Sequence, residues 1–88
     1  MPIVSQFYGI IISMYFNDID KYHLPHIHVQ YAEYRCVFDF DGNMLAGEIP
    51  NKQKKLVVAW IELRKEELKT LWNMLQSGNG SFTIDPLK

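Results

Sequence analysis

The apolar residues of this chain change their spacing at Pro50, and that change divides the 88 residues into two halves. Before Pro50, short runs of β-branched and aromatic residues alternate with polar ones and are separated by turn residues, which is typical of antiparallel strands. After it, apolar residues recur at helical spacing as far as about Gln76, which indicates a long amphipathic helix. An antiparallel sheet must bury its apolar face, so the helix is expected to cover it.

Strands are predicted mainly in the first half of the chain. Four of them cover residues 10–16, 26–31, 34–40 and 43–49. Phe7 and Tyr8 extend the first one if Gly9 allows a bend, and segment 81–85 is a candidate for a short fifth strand. The predicted fold class is therefore α+β: an antiparallel meander of about four strands with a long or bent C-terminal helix, or helix pair, on one face.

The helix carries signals for its ends and for a bend. Asn51 has a suitable side chain for the N-cap, and Gly78 and Gly80 are expected to terminate the helix. The charged run at 64–67 interrupts the apolar stripe and predicts a bend between two helical halves. Residues 1–88 are expected to form a single domain, because a chain of this length has room for only one core.

Two tight turns predict the register of the sheet. A two-residue turn at 32–33 aligns the strands on either side of it. Its pairs are Tyr31 with Tyr34, Gln30 with Arg35, His28 with Val37 and His26 with Asp39. Asp41-Gly42 is a strong signal for a second two-residue hairpin turn. Its pairs are Phe40 with Asn43, Asp39 with Met44, Val37 with Ala46 and Arg35 with Glu48. Both turns assign the same residues to the same face, which argues against a slip by one residue.

This register predicts one apolar face and one mixed face. Cys36 falls on the apolar face beneath the helix and is expected to be an inert, buried thiol. The mixed face, opposite the helix, gathers the candidate site residues. They are His26, His28, Asp39, Arg35 and Glu48, with Tyr15 or Ser13 as further candidates. Alternate residues of a strand share a face, so the two histidines lie roughly 6.5 to 7 Å apart at the backbone.

All three histidines of the chain lie within six residues of one another. A His-x-His pair on a strand is a spacing that zinc ligands use, and neutral imidazole is a common ligand. The candidate metal ligands are His26, His28 and His23, for a divalent ion such as zinc. Asp39, Asp18 or Asp20 are alternatives for the third ligand, and no closed set of four is evident.

The same residues also suit acid–base chemistry. Asp39 opposite His26 provides a carboxylate that fixes the imidazole tautomer and raises its basicity. His28 and Arg35 add an acid and a cation, as in phosphodiester cleavage by RNA-cutting enzymes. The candidate catalytic residues are therefore His26, His28, Asp39 and Arg35. The alternative is that these are half-exposed side chains of a surface or a protein interface, and the sequence does not decide whether the protein is an enzyme.

Charge and cysteine content narrow the classes of partner. The net charge of −1 gives no long-range attraction to nucleic acid or to an anionic membrane. The single cysteine excludes an internal disulfide and fits a reducing compartment. No signal-peptide pattern and no apolar run of transmembrane length is present. A cytoplasmic globular domain is expected.

Several motifs follow one another over nearly the whole chain. They are Met1-Pro2-Ile3, Phe7-Tyr8-Gly9-Ile10, Met14-Tyr15-Phe16, Pro25-His26-Ile27-His28-Val29, Gly47-Glu48-Ile49-Pro50, Trp60, Glu67-Leu68 and Trp72. In this order they resemble the bacterial domain-of-unknown-function family 4160, of which Pro-His-x-His-Val is the most specific part. The resemblance implies that His26 and His28 carry the family's histidine motif, with His23 as its upstream histidine. Many members have a histidine where this chain has Arg64, whose guanidinium can still bind phosphate.

The resemblance also implies a way of acting. The family consists of small, stand-alone proteins without an established activity, often paired with another small domain in two-gene units that resemble toxin–antitoxin modules. The expected function is therefore one half of such a pair, acting by contact with a small protein encoded nearby. The alternative is a small histidine-dependent ribonuclease-like or metal-dependent hydrolase. A homodimer through the open sheet face or an unpaired edge strand is the other assembly considered.

Overall fold

The computed structural model describes residues 3–15, 24–78, 80 and 82–87, which form one antiparallel sheet followed by one long helix. The elements are β1 (Ile3–Phe7), β2 (Ile10–Ser13), β3 (His26–Tyr31), β4 (Tyr34–Asp39), β5 (Met44–Gly47) and α1 (Asn51–Ser77). The strands lie in the sheet in the order of the chain, from β1 to β5. The predicted α+β meander is confirmed, and five strands fall within the predicted range.

The additional strand lies at the N-terminus and not at the C-terminus. Tyr8 and Gly9 connect β1 to β2 in a tight turn, with φ of 50° and 78°, so Gly9 belongs to a hairpin and not to a bend within one strand. Segment 82–87 is not a strand, but it runs beside β1, where the Ile84 N–H donates to the Val4 carbonyl at 2.9 Å. Ile84 is buried, so this segment covers that edge of the sheet.

The register predicted for β3 and β4 is confirmed along the whole of both strands. His26 lies opposite Asp39 at one end and Tyr31 opposite Tyr34 at the other. His28 also has a neighbour on its other side, because Ser13 of β2 lies opposite it. Ser13 of β2 and His28 of β3 therefore lie side by side on neighbouring strands.

The register between β4 and β5 is confirmed at one end only. Val37 faces Ala46 as predicted, but Met44 pairs with Phe38 and not with Asp39. The residue left over in β5 is Leu45, which forms a β-bulge. The prediction failed because the turn beyond β4 is longer than two residues.

The bend predicted in the helix is confirmed. α1 has 27 residues and leaves helical geometry at Arg64, where φ is −114° and ψ is 16°. It ends at Gly78, which is left-handed and donates its N–H to the Leu75 carbonyl at 3.3 Å. The predicted N-cap at Asn51 is wrong, because Asn51 is already helical. Pro50 occupies the N-cap position with an extended backbone and makes no side-chain cap.

The core lies between α1 and the sheet. Its fully buried members include Ile10, Ile12, Ile27 and Phe38 of the sheet and Val57, Trp60, Ile61 and Leu68 of the helix. Cys36 lies on this face as predicted, and burial raises the pKa of its thiol to about 11, against a smaller opposing effect of the Lys54 charge. Trp60 Nε1 donates to the Asp85 carbonyl at 2.9 Å, which holds segment 82–87 against the helix.

Candidate functional site on the open sheet face

The sheet face opposite α1, called the open face below, contains a pocket of about 230 Å³. The pocket is lined by side chains from β2 to β5 and by Tyr15, just beyond β2. Its lining includes Ile11, Ser13, Tyr15, His28, Gln30, Arg35, Val37, Ala46 and Gly47. The lining side chains of β2, β3 and β4 share a face because these strands align Ile11 with Gln30 and Gln30 with Arg35. The β3–β4 part of this register is the one that the turn at 32–33 predicted. Of the four predicted catalytic residues, His28 and Arg35 line this pocket, whereas His26 and Asp39 are not among its lining residues.

His28 is half-buried in the wall of this pocket. Its ring meets Tyr15 edge to face, with 4.5 Å between the ring centroids and 76° between the planes. Ser13, opposite His28, is buried and also lines the pocket. Tyr15 and Ser13 therefore join the site, as the sequence predicted.

His26 lies deeper, with only 1% of its surface exposed. Its Nδ1 lies 2.8 Å from the Leu24 carbonyl and must donate to it, since a carbonyl only accepts. In the neutral ring, Nε2 then carries the lone pair. Trp72 of α1 lies over the imidazole, with 5.3 Å between centroids. The expectation that both histidines lie away from the helix is thus wrong for His26, although its register is as predicted.

The second half of α1 causes this burial. Beyond the bend, it extends over the end of the sheet where β3 begins and β4 ends. There Trp72 contacts Phe40 as well as His26, with 6.2 Å between the Phe40 and Trp72 centroids. One turn later, Gln76 Nε2 donates to the Tyr15 carbonyl at 3.4 Å. The helix therefore contributes to one end of the histidine site.

The two imidazoles are close enough to share a ligand. Their ring centroids are 5.3 Å apart, with 65° between the planes. Two imidazoles bound to one tetrahedral zinc at ~2.1 Å would have centroids about 5.2 Å apart. The bond from Nδ1 of His26 to a backbone carbonyl is also an arrangement that commonly orients a metal-binding histidine.

The described residues do not complete a metal site. Among them, no group of three His, Cys, Asp or Glu side chains is placed to hold an ion. His23, the predicted third ligand, lies outside the described residues, as do Asp18 and Asp20. A zinc site needs three or four protein ligands, so His26 and His28 would provide only part of one.

Asp39 organises the turn between β4 and β5. Its Oδ1 accepts the N–H groups of Asp41 and Asn43, both at 2.9 Å, and its Oδ2 accepts Asn43 Nδ2 at 3.1 Å. A buried carboxylate with these partners stabilises a turn in the manner typical of aspartate. The predicted pairing with His26 does not form through Nδ1, which donates to Leu24. Asp39 therefore has a clear structural role, while its catalytic role remains a prediction.

Arg35 supplies the charge of the pocket. Among the described residues of the lining, it is the only Arg or Lys, and none is acidic. Its predicted partner Glu48 contacts it through the backbone, where the Glu48 N–H donates to the Arg35 carbonyl at 3.1 Å. Arg64 does not line the pocket; it lies at the helix bend and its Nη1 donates to Glu67 at 3.4 Å. The pocket therefore favours an anionic group.

Gly47 has a role that sequence reasoning missed. Its φ is +82°, and a Cβ there would lie 2.1 Å from the Arg35 carbonyl oxygen and 2.7 Å from Cys36 Cα. Only glycine fits where β5 approaches β4 this closely. The signal was present in the Gly47-Glu48-Ile49-Pro50 motif, but nothing in the sequence indicated that the motif marks a close backbone contact.

The fold and the site define a small α+β domain whose open face carries a positively charged pocket beside a pair of histidines. The family model described as Domain of unknown function (DUF4160) matches residues 9–73. The chain belongs to this family, as its motifs indicated. No curated protein and no solved structure matches it. In the described part of the chain, no helix has the length and apolar character needed to cross a membrane.

Proposed function

We propose that this protein is a bacterial, cytoplasmic component of a toxin–antitoxin-like pair and binds a small protein encoded nearby through its open face. The pocket on that face carries the proposal. At about 230 Å³ it is smaller than the roughly 300–1,000 Å³ typical of small-molecule sites. It therefore suits one inserted side chain of a protein partner better than a free ligand.

The chemistry of the pocket indicates which side chain it receives. Ile11, Val37 and Ala46 offer apolar surface, and Arg35 adds the charge. A guanidinium binds a carboxylate through two parallel hydrogen bonds. The anchor of the partner is therefore an Asp or Glu next to apolar residues.

Co-purification with the product of the adjacent gene tests this proposal, followed by calorimetric titration of the two proteins. Arg35→Gln should weaken the complex about tenfold or more, as expected for loss of an anchoring contact. Lys69→Gln is the matched control, because Lys69 is an exposed cation on α1 and does not line the pocket. The proposal fails if no complex forms, or if both variants bind as the parent protein does.

The spacing of the histidines favours a second candidate, a metal-dependent or ribonuclease-like hydrolase. His26 and His28 lie at a distance that suits one shared ion, and Leu24 fixes the ring of His26. A bound zinc would act as a Lewis acid or activate water. Within the chain, His26 and His28 would hold it, and Arg35 would bind the anionic part of the substrate.

Zinc titration of the full chain, with hydrolysis of a model RNA measured in parallel, tests this candidate. His28→Gln is the informative variant, since His28 is only half-buried and its replacement should leave the fold intact. His26→Ala would open a space beneath Trp72 and confuse stability with chemistry. Zinc affinity and hydrolysis that are both unchanged in His28→Gln would exclude a role for the histidine pair, whereas loss of hydrolysis alone would indicate the metal-free version.

A further inference from the structure

A second surface lies on α1, away from the open face. The first half of the helix presents a shallow groove of about 520 Å³, called the α1 stripe below. It is lined by Asn51, Lys54, Lys55, Val58, Ala59 and Glu62. These positions recur at helical spacing along one side of α1. Val58 and Ala59 are exposed at the middle of the stripe, and the nearby Leu63 has 67% of its surface exposed.

The α1 stripe is basic at one end and acidic at the other. Lys54 and Lys55 precede the apolar centre, and Glu62 follows it. The ion pairs of α1 in the described part of the chain involve other residues, joining Arg64 to Glu67 and Lys65 to Asp41. Neither Lys55 nor Glu62 takes part in these two ion pairs, and Glu62 has an electrostatic neighbour in Lys65.

This arrangement of charges is complementary to itself. Two copies can meet as antiparallel helices around a two-fold axis that passes between Val58 and Ala59. Val58 of each copy then faces Ala59 of the partner subunit. Lys55 then lies against Glu62 of the partner subunit, and the symmetry repeats the pair. Leu63 lies beside the aliphatic stem of the partner's Lys54. Long cationic side chains commonly cover apolar surface with this part of the side chain.

We propose that the α1 stripe is a contact surface for a second copy of this chain. Six side chains of one helix cover less than the ~800 Å² per partner of a standard stable interface. The dimer is therefore weak and forms at concentrations on the order of hundreds of micromolar. It leaves the open face exposed on both copies, so it does not depend on the function proposed for the pocket.

Sedimentation velocity over a concentration series to ~1 mM tests the dimer, with charge exchange as the decisive measurement. Lys55→Glu and Glu62→Lys each place like charges together twice and should raise the dissociation constant about tenfold. The double variant Lys55→Glu/Glu62→Lys exchanges the charges and should restore it. Lys69→Glu changes the net charge as Lys55→Glu does, but it lies outside the stripe and should have no effect.

Each outcome decides for or against the α1 stripe. A chain that stays monomeric over the whole series, or a double variant that does not recover dimerisation, would overturn the proposal. Arg35→Gln separates it from a dimer through the open face. Loss of association in that variant, with Lys55→Glu unchanged, would assign the contact to the pocket instead. Circular dichroism of each variant confirms that the fold is retained.

Discussion

Replacement of Gly47 by alanine would add one carbon where β5 comes closest to β4. The new Cβ would lie 2.1 Å from the Arg35 carbonyl oxygen, a separation that real Cβ atoms essentially never show. The same oxygen accepts the Glu48 N–H at 3.1 Å, so moving β5 away to relieve the contact weakens that hydrogen bond. A single change therefore combines three costs: a left-handed backbone, a steric displacement and a lost bond.

These costs can be added approximately. A left-handed non-glycine residue costs roughly 1–2 kcal/mol, a lost backbone hydrogen bond costs about 1 kcal/mol, and overpacking costs about 1–3 kcal/mol. The expected loss in the free energy of unfolding for Gly47→Ala is therefore roughly 3–6 kcal/mol. For 88 residues the whole stability is expected to be about 4–13 kcal/mol. Gly47→Ala should therefore leave the domain marginal or unfolded.

Urea unfolding followed by circular dichroism measures this loss, and Gly78→Ala is the matched control. Gly78 has φ of +75°, close to that of Gly47, but no atom lies within 4 Å of the added Cβ. It therefore reports the backbone cost alone, roughly 1–2 kcal/mol. The difference between the two variants isolates the contact with β4. If Gly47→Ala is no more destabilising than Gly78→Ala, the close approach of the strands is not what requires glycine.

Three further predictions test other parts of the structure. Cys36 should react with a disulfide reagent at pH 8 more than a hundredfold slower in the folded chain than in guanidinium chloride. In the folded chain its thiol, with a pKa of about 11, is almost entirely protonated at that pH. Equal rates would contradict the burial of Cys36. Asp39→Ala should lower the free energy of unfolding in urea by about 1–3 kcal/mol, because two turn N–H groups lose their acceptor. Asp39→Asn keeps an acceptor oxygen and should lower it less. An equal loss in both variants would argue against the role of Asp39 in the turn. Ile84→Ala should lower the free energy of unfolding by about 2–4 kcal/mol. It should also accelerate amide exchange in β1, which Ile84 covers. Unchanged exchange in β1 would show that segment 82–87 does not protect that edge of the sheet.

The turn residues explain how much of the sheet could be predicted. The two residues between Tyr31 and Tyr34 leave a single way to pair β3 with β4, and that register is confirmed. The next turn was predicted from Asp41-Gly42 alone. The carboxylate of Asp39 stabilises a longer turn there, and Leu45 is left over as a bulge. Local turn chemistry predicts pairing only where no neighbouring side chain offers the backbone other hydrogen bonds.

The position of the helix over the sheet limited what could be predicted about the site. The spacing of apolar residues shows which side of α1 faces the core, but not how far along the sheet the helix reaches. The contact of Trp72 with His26 was therefore not foreseen. β1 was missed for a local reason. A register shift between Ile3 and Ser5 disturbs the strict alternation that identifies a strand.

The contact of Trp72 with His26 gives this protein an internal optical probe. Indole fluorescence responds to changes in the environment of the indole ring and of a side chain in contact with it. Trp72 lies on the His26 ring, whereas Trp60, the only other tryptophan, is buried in the core and bonded to Asp85. Emission from Trp72 should therefore change when an ion or a partner reaches His26. No label is needed to follow occupancy of the histidine pair in the native chain.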